Sequence, residues 1–155
     1  MSEQKSASER ALELFEQGYN CAQSVFAAFC EKTGIPFDTA VRLPEALGGG
    51  CCRLRQTCGA FTGGMLVLSA LYGHNDPEHP QSKMDMYVQG QRVGLQFQEL
   101  FGTFCCAELL DLPAGTVSSP VPSPRTPEYY AQRPCARFVV EMARLVDEEI
   151  ARTED

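Results

Sequence analysis

The chain has 155 residues, 44% of them hydrophobic and 21% charged, which fits one globular domain and excludes a disordered chain. Thirteen basic and 20 acidic residues leave a net charge of −7 with no Lys/Arg cluster, which argues against nucleic acid and against an anionic membrane surface as partners. The N-terminus, MSEQKSASERALELFEQG, has no apolar signal core, and the longest apolar stretch, Met65 to Tyr72, is too short to span a bilayer, so a cytoplasmic protein is expected.

Helical periodicity dominates from the start. Residues 6–17 carry Ala7, Ala11, Leu14 and Phe15 on one face and stop at Gly18. Asn20 is the expected N-cap of a second helix over 21–33, with Ala22, Val25, Phe26 and Phe29 as its buried stripe and Gly34 as its stop. A short helix is predicted over 38–43, breaking near Pro44. Then comes LGGGCCRLRQTCGAFTGG, whose glycines 48–50 allow a backbone path closed to residues with side chains. A helix is predicted from about Thr57 to Tyr72, a polar loop over 74–80, and a long helix over 81–101 with Val88, Leu95 and Phe97 among its apolar positions. A short helix over 104–110 follows. Residues 113–127, PAGTVSSPVPSPRTP, hold five prolines and read as an extended strap or a lid. The last helix, about 134–152, is amphipathic. No strand pattern and no internal repeat is found. The predicted fold is all-α: a single domain over 1–155, a bundle of about five main helices with a Gly-rich loop and a Pro-rich strap.

Eight cysteines in a chain read as cytoplasmic point to metal or redox chemistry before structural disulfides. Four of them, Cys21, Cys58, Cys106 and Cys135, fall at predicted helix starts, after Asn20, Thr57, Thr103 and Pro134. A helix N-terminus offers unpaired N–H groups and partial positive charge, which favour a thiolate, the species that binds metals. The expectation is that these four starts converge. Gly59, Gly63 and Gly64 sit beside one of them. Glycine costs a helix interior up to about 1 kcal/mol relative to alanine, so the cluster implies that another backbone or a cofactor comes close. Gly90 and Gly94 are the packing partners that spacing suggests. Cys30 falls on a buried stripe and reads as core, whereas Cys51 and Cys52 suit an additional ligand or a resolving thiol. No CxxC, Walker A, GxGxxG, HExxH or GxSxG motif is present, and the two histidines, His74 and His79, lie in a polar loop.

The segments GYNCAQSVFAAF at 18–29, the glycines at 48–50, TCGAFTGG at 57–64, FGTFCCAELL at 101–110 and RPCARFVVEMARLV at 133–146 together resemble the C_GCAxxG_C_C family of small bacterial and archaeal proteins described as redox-active. The resemblance implies that the family's four characteristic cysteines are Cys21, Cys58, Cys106 and Cys135, and that they hold a prosthetic group such as an iron–sulfur cluster. Cys30, Cys51, Cys52 and Cys105 are additional to that pattern. Three functions follow for these sulfurs. An iron–sulfur protein transferring electrons is the first, with Gly59 and Gly63 beside the cofactor. A zinc-binding structural or interaction module is the second, since four thiolates also suit tetrahedral zinc. A metal-free thiol–disulfide protein is the third. No acid–base pair is legible, so an accessory redox protein, served by a partner protein, is expected rather than a catalyst. The apolar face of the last helix suggests a possible homodimer.

Overall fold

The structure, a computed structural model, describes residues 4–155. Its longer helices are α1 (Ala7–Glu16), α2 (Cys21–Ala27), α5 (Gly59–Tyr72), α6 (Pro80–Phe101) and α9 (Cys135–Glu154). Between them lie α3 (Cys30–Thr33), α4 (Phe37–Arg42), a 3-10 turn (Glu45–Leu47), α7 (Cys106–Leu109) and α8 (Pro127–Gln132). The described residues form no strand, only one antiparallel bridge between Thr57 and Cys105. The all-α expectation therefore holds.

Local chemistry explains the two N-terminal starts. Ser6 Oγ accepts the Glu9 N–H at 3.1 Å while Glu9 Oε2 accepts the Ser6 N–H at 2.7 Å, a reciprocal capping box. Asn20 and Gln23 repeat the device at the head of α2, both bonds at 2.9 Å. The expected single helix over 21–33 is in fact two. It breaks at Ala28 and Phe29, where Arg10 Nε donates to the Ala28 carbonyl at 2.8 Å, and resumes as α3 until Gly34 closes it in the left-handed conformation.

Helix α9 is the central post. It packs on α1, α2, α5 and α6, and its Phe138, Val139, Met142, Leu145, Val146 and Ile150 are buried. Its apolar face is thus spent inside the molecule. Helix α6, by contrast, exposes Met84, Tyr87, Val88, Leu95 and Leu100. Of the apolar positions named along this helix, Phe97 is buried while Val88 and Leu95 face outward. The buried row of α6 is Gln89, Val93, Gly94 and Phe97. Phe97 joins Phe61, Phe101 and Phe104 in an aromatic cluster, with ring centroids 5.5, 4.9 and 6.0 Å away.

The glycines of α5 have a sharper role than general closeness. An added Cβ at Gly63 would lie 2.7 Å from the Ala22 carbonyl oxygen, and one at Gly64 would lie 2.4 Å from Met142 Cε. Helix α5 is therefore pressed against α2 on one side and α9 on the other. Gly90 and Gly94 of α6 are not the partners; they face Met65 and Phe61 at 3.5 Å.

Candidate functional site

Cys21 is the first residue of α2, Cys58 the N-cap of α5, Cys106 the first residue of α7 and Cys135 the first residue of α9. All four line one cavity of about 670 Å³. Their convergence has a traceable backbone cause. The Cys58 N–H donates to the Phe104 carbonyl at 2.7 Å and the Cys106 N–H to the Gln56 carbonyl at 2.6 Å, so the segments before α5 and α7 run side by side. Thr57, where the helix is predicted to begin, belongs instead to that bridge, and α5 starts at Gly59. Gly59 makes room for the sulfur of Cys21, because a Cβ there would sit 2.5 Å from it. Gly63, expected at the cofactor, lies outside the cavity wall as a contact with α2.

The Gly-rich segment folds into an unusual turn. Gly49, Gly50, Cys51, Cys52 and Arg53 all have positive φ, between 49° and 70°, and Arg55 follows at 59°. Left-handed backbone costs a residue with a side chain roughly 1–2 kcal/mol, so the loop is held by compensating bonds. The Cys52 N–H reaches Ala46 O at 2.7 Å, and the Gln56 N–H reaches Gly50 O at 2.9 Å. Cys51 and Cys52 are exposed on this turn, and Cys52 also lines the cavity. Cys105 directs its thiol toward the Arg55 carbonyl at 3.7 Å, and Cys30 packs against the core as expected. All eight cysteines are free.

The strap closes over the cavity, contributing Pro120, Pro122 and Ser123 to its wall. The Ser118 N–H donates to Arg53 O at 3.1 Å, Arg53 Nε to Ser119 O at 2.5 Å and Arg55 Nε to Ser118 Oγ at 2.9 Å. Arg125 is bonded to the carbonyls of Phe15 and Tyr19 and lies 4.4 Å from the centroid of the Phe15 ring. The strap ends in α8, a helix that the proline content concealed. Thr126 caps it by accepting the Tyr129 N–H, and Pro127 is its first residue.

The electrostatics reverse one expectation. Burial pushes the Cys21, Cys58 and Cys135 thiols up, Cys135 to about 12. Neighbouring Cys21 adds to the rise at Cys58 and at Cys135. The backbone N–H groups of Gly49 and Ala22 pull Cys21 down, and those of Phe61 and Ala60 pull Cys58 down, but desolvation outweighs them. Helix starts alone do not make these thiols anionic.

Two results are expected for the reduced, metal-free chain. At pH 8, Cys135 carries on the order of a thousandth of the thiolate of a free cysteine, so iodoacetamide followed by peptide mass mapping should label exposed Cys51 and Cys52 long before Cys58 and Cys135. The folded thiols hold protons more tightly than the unfolded ones. Their contribution to stability is therefore whole below the unfolded pKa, about 8.5, and is lost as the pH rises toward 12; melting curves taken across that window should fall.

Among the described residues, no three His, Cys, Asp or Glu side chains are drawn together as one metal ion requires. The four sulfurs surround a space rather than a point. Sequence reasoning missed the other half of the wall: Arg53, Arg55, Arg125 and Arg133. These arginines are scattered along the chain, and only the RLR run at 53–55 hinted at them. Comparison with curated proteins finds no match, and comparison with solved structures finds none. Comparison with protein families does: the family model described as "Putative redox-active protein (C_GCAxxG_C_C)" matches residues 19–149, and the chain belongs to that family.

Proposed function

We propose that this redox-active family member is an electron carrier whose centre is an iron–sulfur cluster held by Cys21, Cys58, Cys106 and Cys135. The observation that carries the reading is the meeting of these four sulfurs, from four separate helix starts, around one cavity of about 670 Å³. Cysteine-only ligation suits such clusters, and a polynuclear centre has the extent to meet sulfurs that ring a space. When bound, the cluster supplies one-electron transfer.

The chain's own residues provide the setting. Raised thiol pKa values make the metal-free site a poor nucleophile, which disfavours dithiol exchange at these positions. Ligation requires each thiol to lose its proton, so loading releases protons and strengthens with rising pH. Arg55 Nη1 lies 3.7 Å from the Cys106 sulfur and offers compensating charge to a ligating thiolate. Gly59 keeps the space beside Cys21 clear.

The test is iron and acid-labile sulfide content, with a visible spectrum, on protein purified without oxygen. Both should be present in the wild type and absent from Cys58→Ser and Cys106→Ser. An iron-free wild type under those conditions would overturn the cluster. Stoichiometric zinc would then assign the site to a single ion, and neither metal would turn attention to Cys52 as a thiol partner on the same wall.

A further inference from the structure

We propose that the same cavity carries an anion site on its guanidinium wall, centred on Arg55 and taking an oxyanion, free or as the head group of a larger molecule. The inference rests on the arginines and does not require the cluster reading. Arg55 is 4% exposed, yet among the described residues no carboxylate pairs with it. Its Nε donates to the Ser118 hydroxyl and its Nη1 to the Cys106 sulfur. Nη2 has no hydrogen-bond partner among the described residues. No buried side-chain nitrogen or oxygen is orphaned among the described residues, so Nη2 is reached by solvent, and Arg55 lines the cavity. A cation withdrawn from water without a counterion is costly, and an oxyanion in the cavity would supply one.

Three more guanidiniums share the wall, and none is ion-paired among the described residues. Arg125 is committed to Phe15 and Tyr19, but Arg53 and Arg133 are near enough to oppose each other's charge. The lining contains one carboxylate, Glu45. Four guanidiniums against one carboxylate leave an excess of positive charge even if Cys106 ionises. That excess lines one cavity of a chain whose net charge is −7. Guanidinium forks match phosphate and sulfate oxygens in geometry as well as charge. The cavity volume falls within the range of small-molecule sites, so it has room for more than a bare ion.

The experiment is calorimetric titration of the full chain, reduced and oxygen-free in low-chloride buffer, with inorganic sulfate and then inorganic phosphate. One saturable site per chain is expected. Arg55→Gln should weaken binding at least tenfold, and Arg152→Gln, at the exposed end of α9 and outside the cavity lining, should leave it within about threefold. Because Arg55 is buried and its removal endangers folding, Arg133→Gln provides a second test, with a several-fold loss expected. Absence of saturable binding to the wild type, or affinities unchanged in both arginine variants, would overturn the site. A methyl phosphate arm separates the sources. Affinity equal to phosphate supports a free oxyanion; affinity tenfold higher supports a head group. Iron content of the same samples keeps the two proposals apart. Anion binding by an iron-free chain sinks the cluster alone, and an iron-loaded chain that binds neither anion sinks this site alone.

Discussion

Gly63→Val is expected to destabilise the chain by about 3 kcal/mol and to lower the denaturant midpoint accordingly. Glycine is a poor helix former, so a side chain in the middle of α5 would ordinarily improve the helix. Here the first added carbon would meet the Ala22 carbonyl oxygen at 2.7 Å and the Ala22 Cα at 3.1 Å. Those atoms are backbone inside α2 and cannot rotate away, so α2 itself must move. Cys21 heads α2 and Cys58 heads α5, which couples the helix contact to the spacing of two sulfurs. The informative control is Gly90→Ala on α6. Its nearest neighbour is Met65 Sδ at 3.5 Å, an ordinary contact, so this change should stabilise the chain by about 0.5–1 kcal/mol. Matching losses at both positions would show that helix packing does not set the sign.

Phe97→Ala should cost about 3–5 kcal/mol, measured as a loss of unfolding free energy, because a fully buried ring is removed from a site enclosed by other rings. The Phe97 and Phe104 planes lie only 11° apart, and Phe61 of α5 touches both. Phe104 also supplies the carbonyl that receives the Cys58 N–H. Loss of Phe97 therefore loosens the segment joining α6 to α7, and with it the seat of Cys106. A milder outcome, below about 1 kcal/mol, would mean that the cluster collapses into the space left behind.

Helix starts are legible where local chemistry writes them, as with Asn20 before Cys21 and Pro134 before Cys135. The same punctuation stands at Thr126 and Pro127, but the prolines that precede it mask α8 as part of the strap. Helix α6 is ambiguous in sequence for a different reason. It carries two apolar rows, and periodicity does not say which one meets the core; packing placed Phe97 inward and left Leu95 64% exposed. The thiol chemistry divided in the same way. Placement at a helix end is a property of the neighbouring residues, whereas desolvation is a property of everything folded around the sulfur. Burial prevailed at Cys21, Cys58 and Cys135. Arg53, Arg55, Arg125 and Arg133 became a group only through the strap and the turn at 49–53, over separations no local motif spans.

That turn has a bearing on how the chain meets proteases. A trypsin-like enzyme cleaves after arginine and must hold the residues around the scissile bond in an extended line. Arg53 and Arg55 lie in backbone of the opposite hand, tied by their own N–H groups to Gly48 and Gly49. Two cleavage sites present in the sequence are thus held in a form such an enzyme cannot read. A cut after either arginine reports the fraction of molecules in which the turn has come undone, which makes digestion a clock for opening at the wall of the thiol cavity.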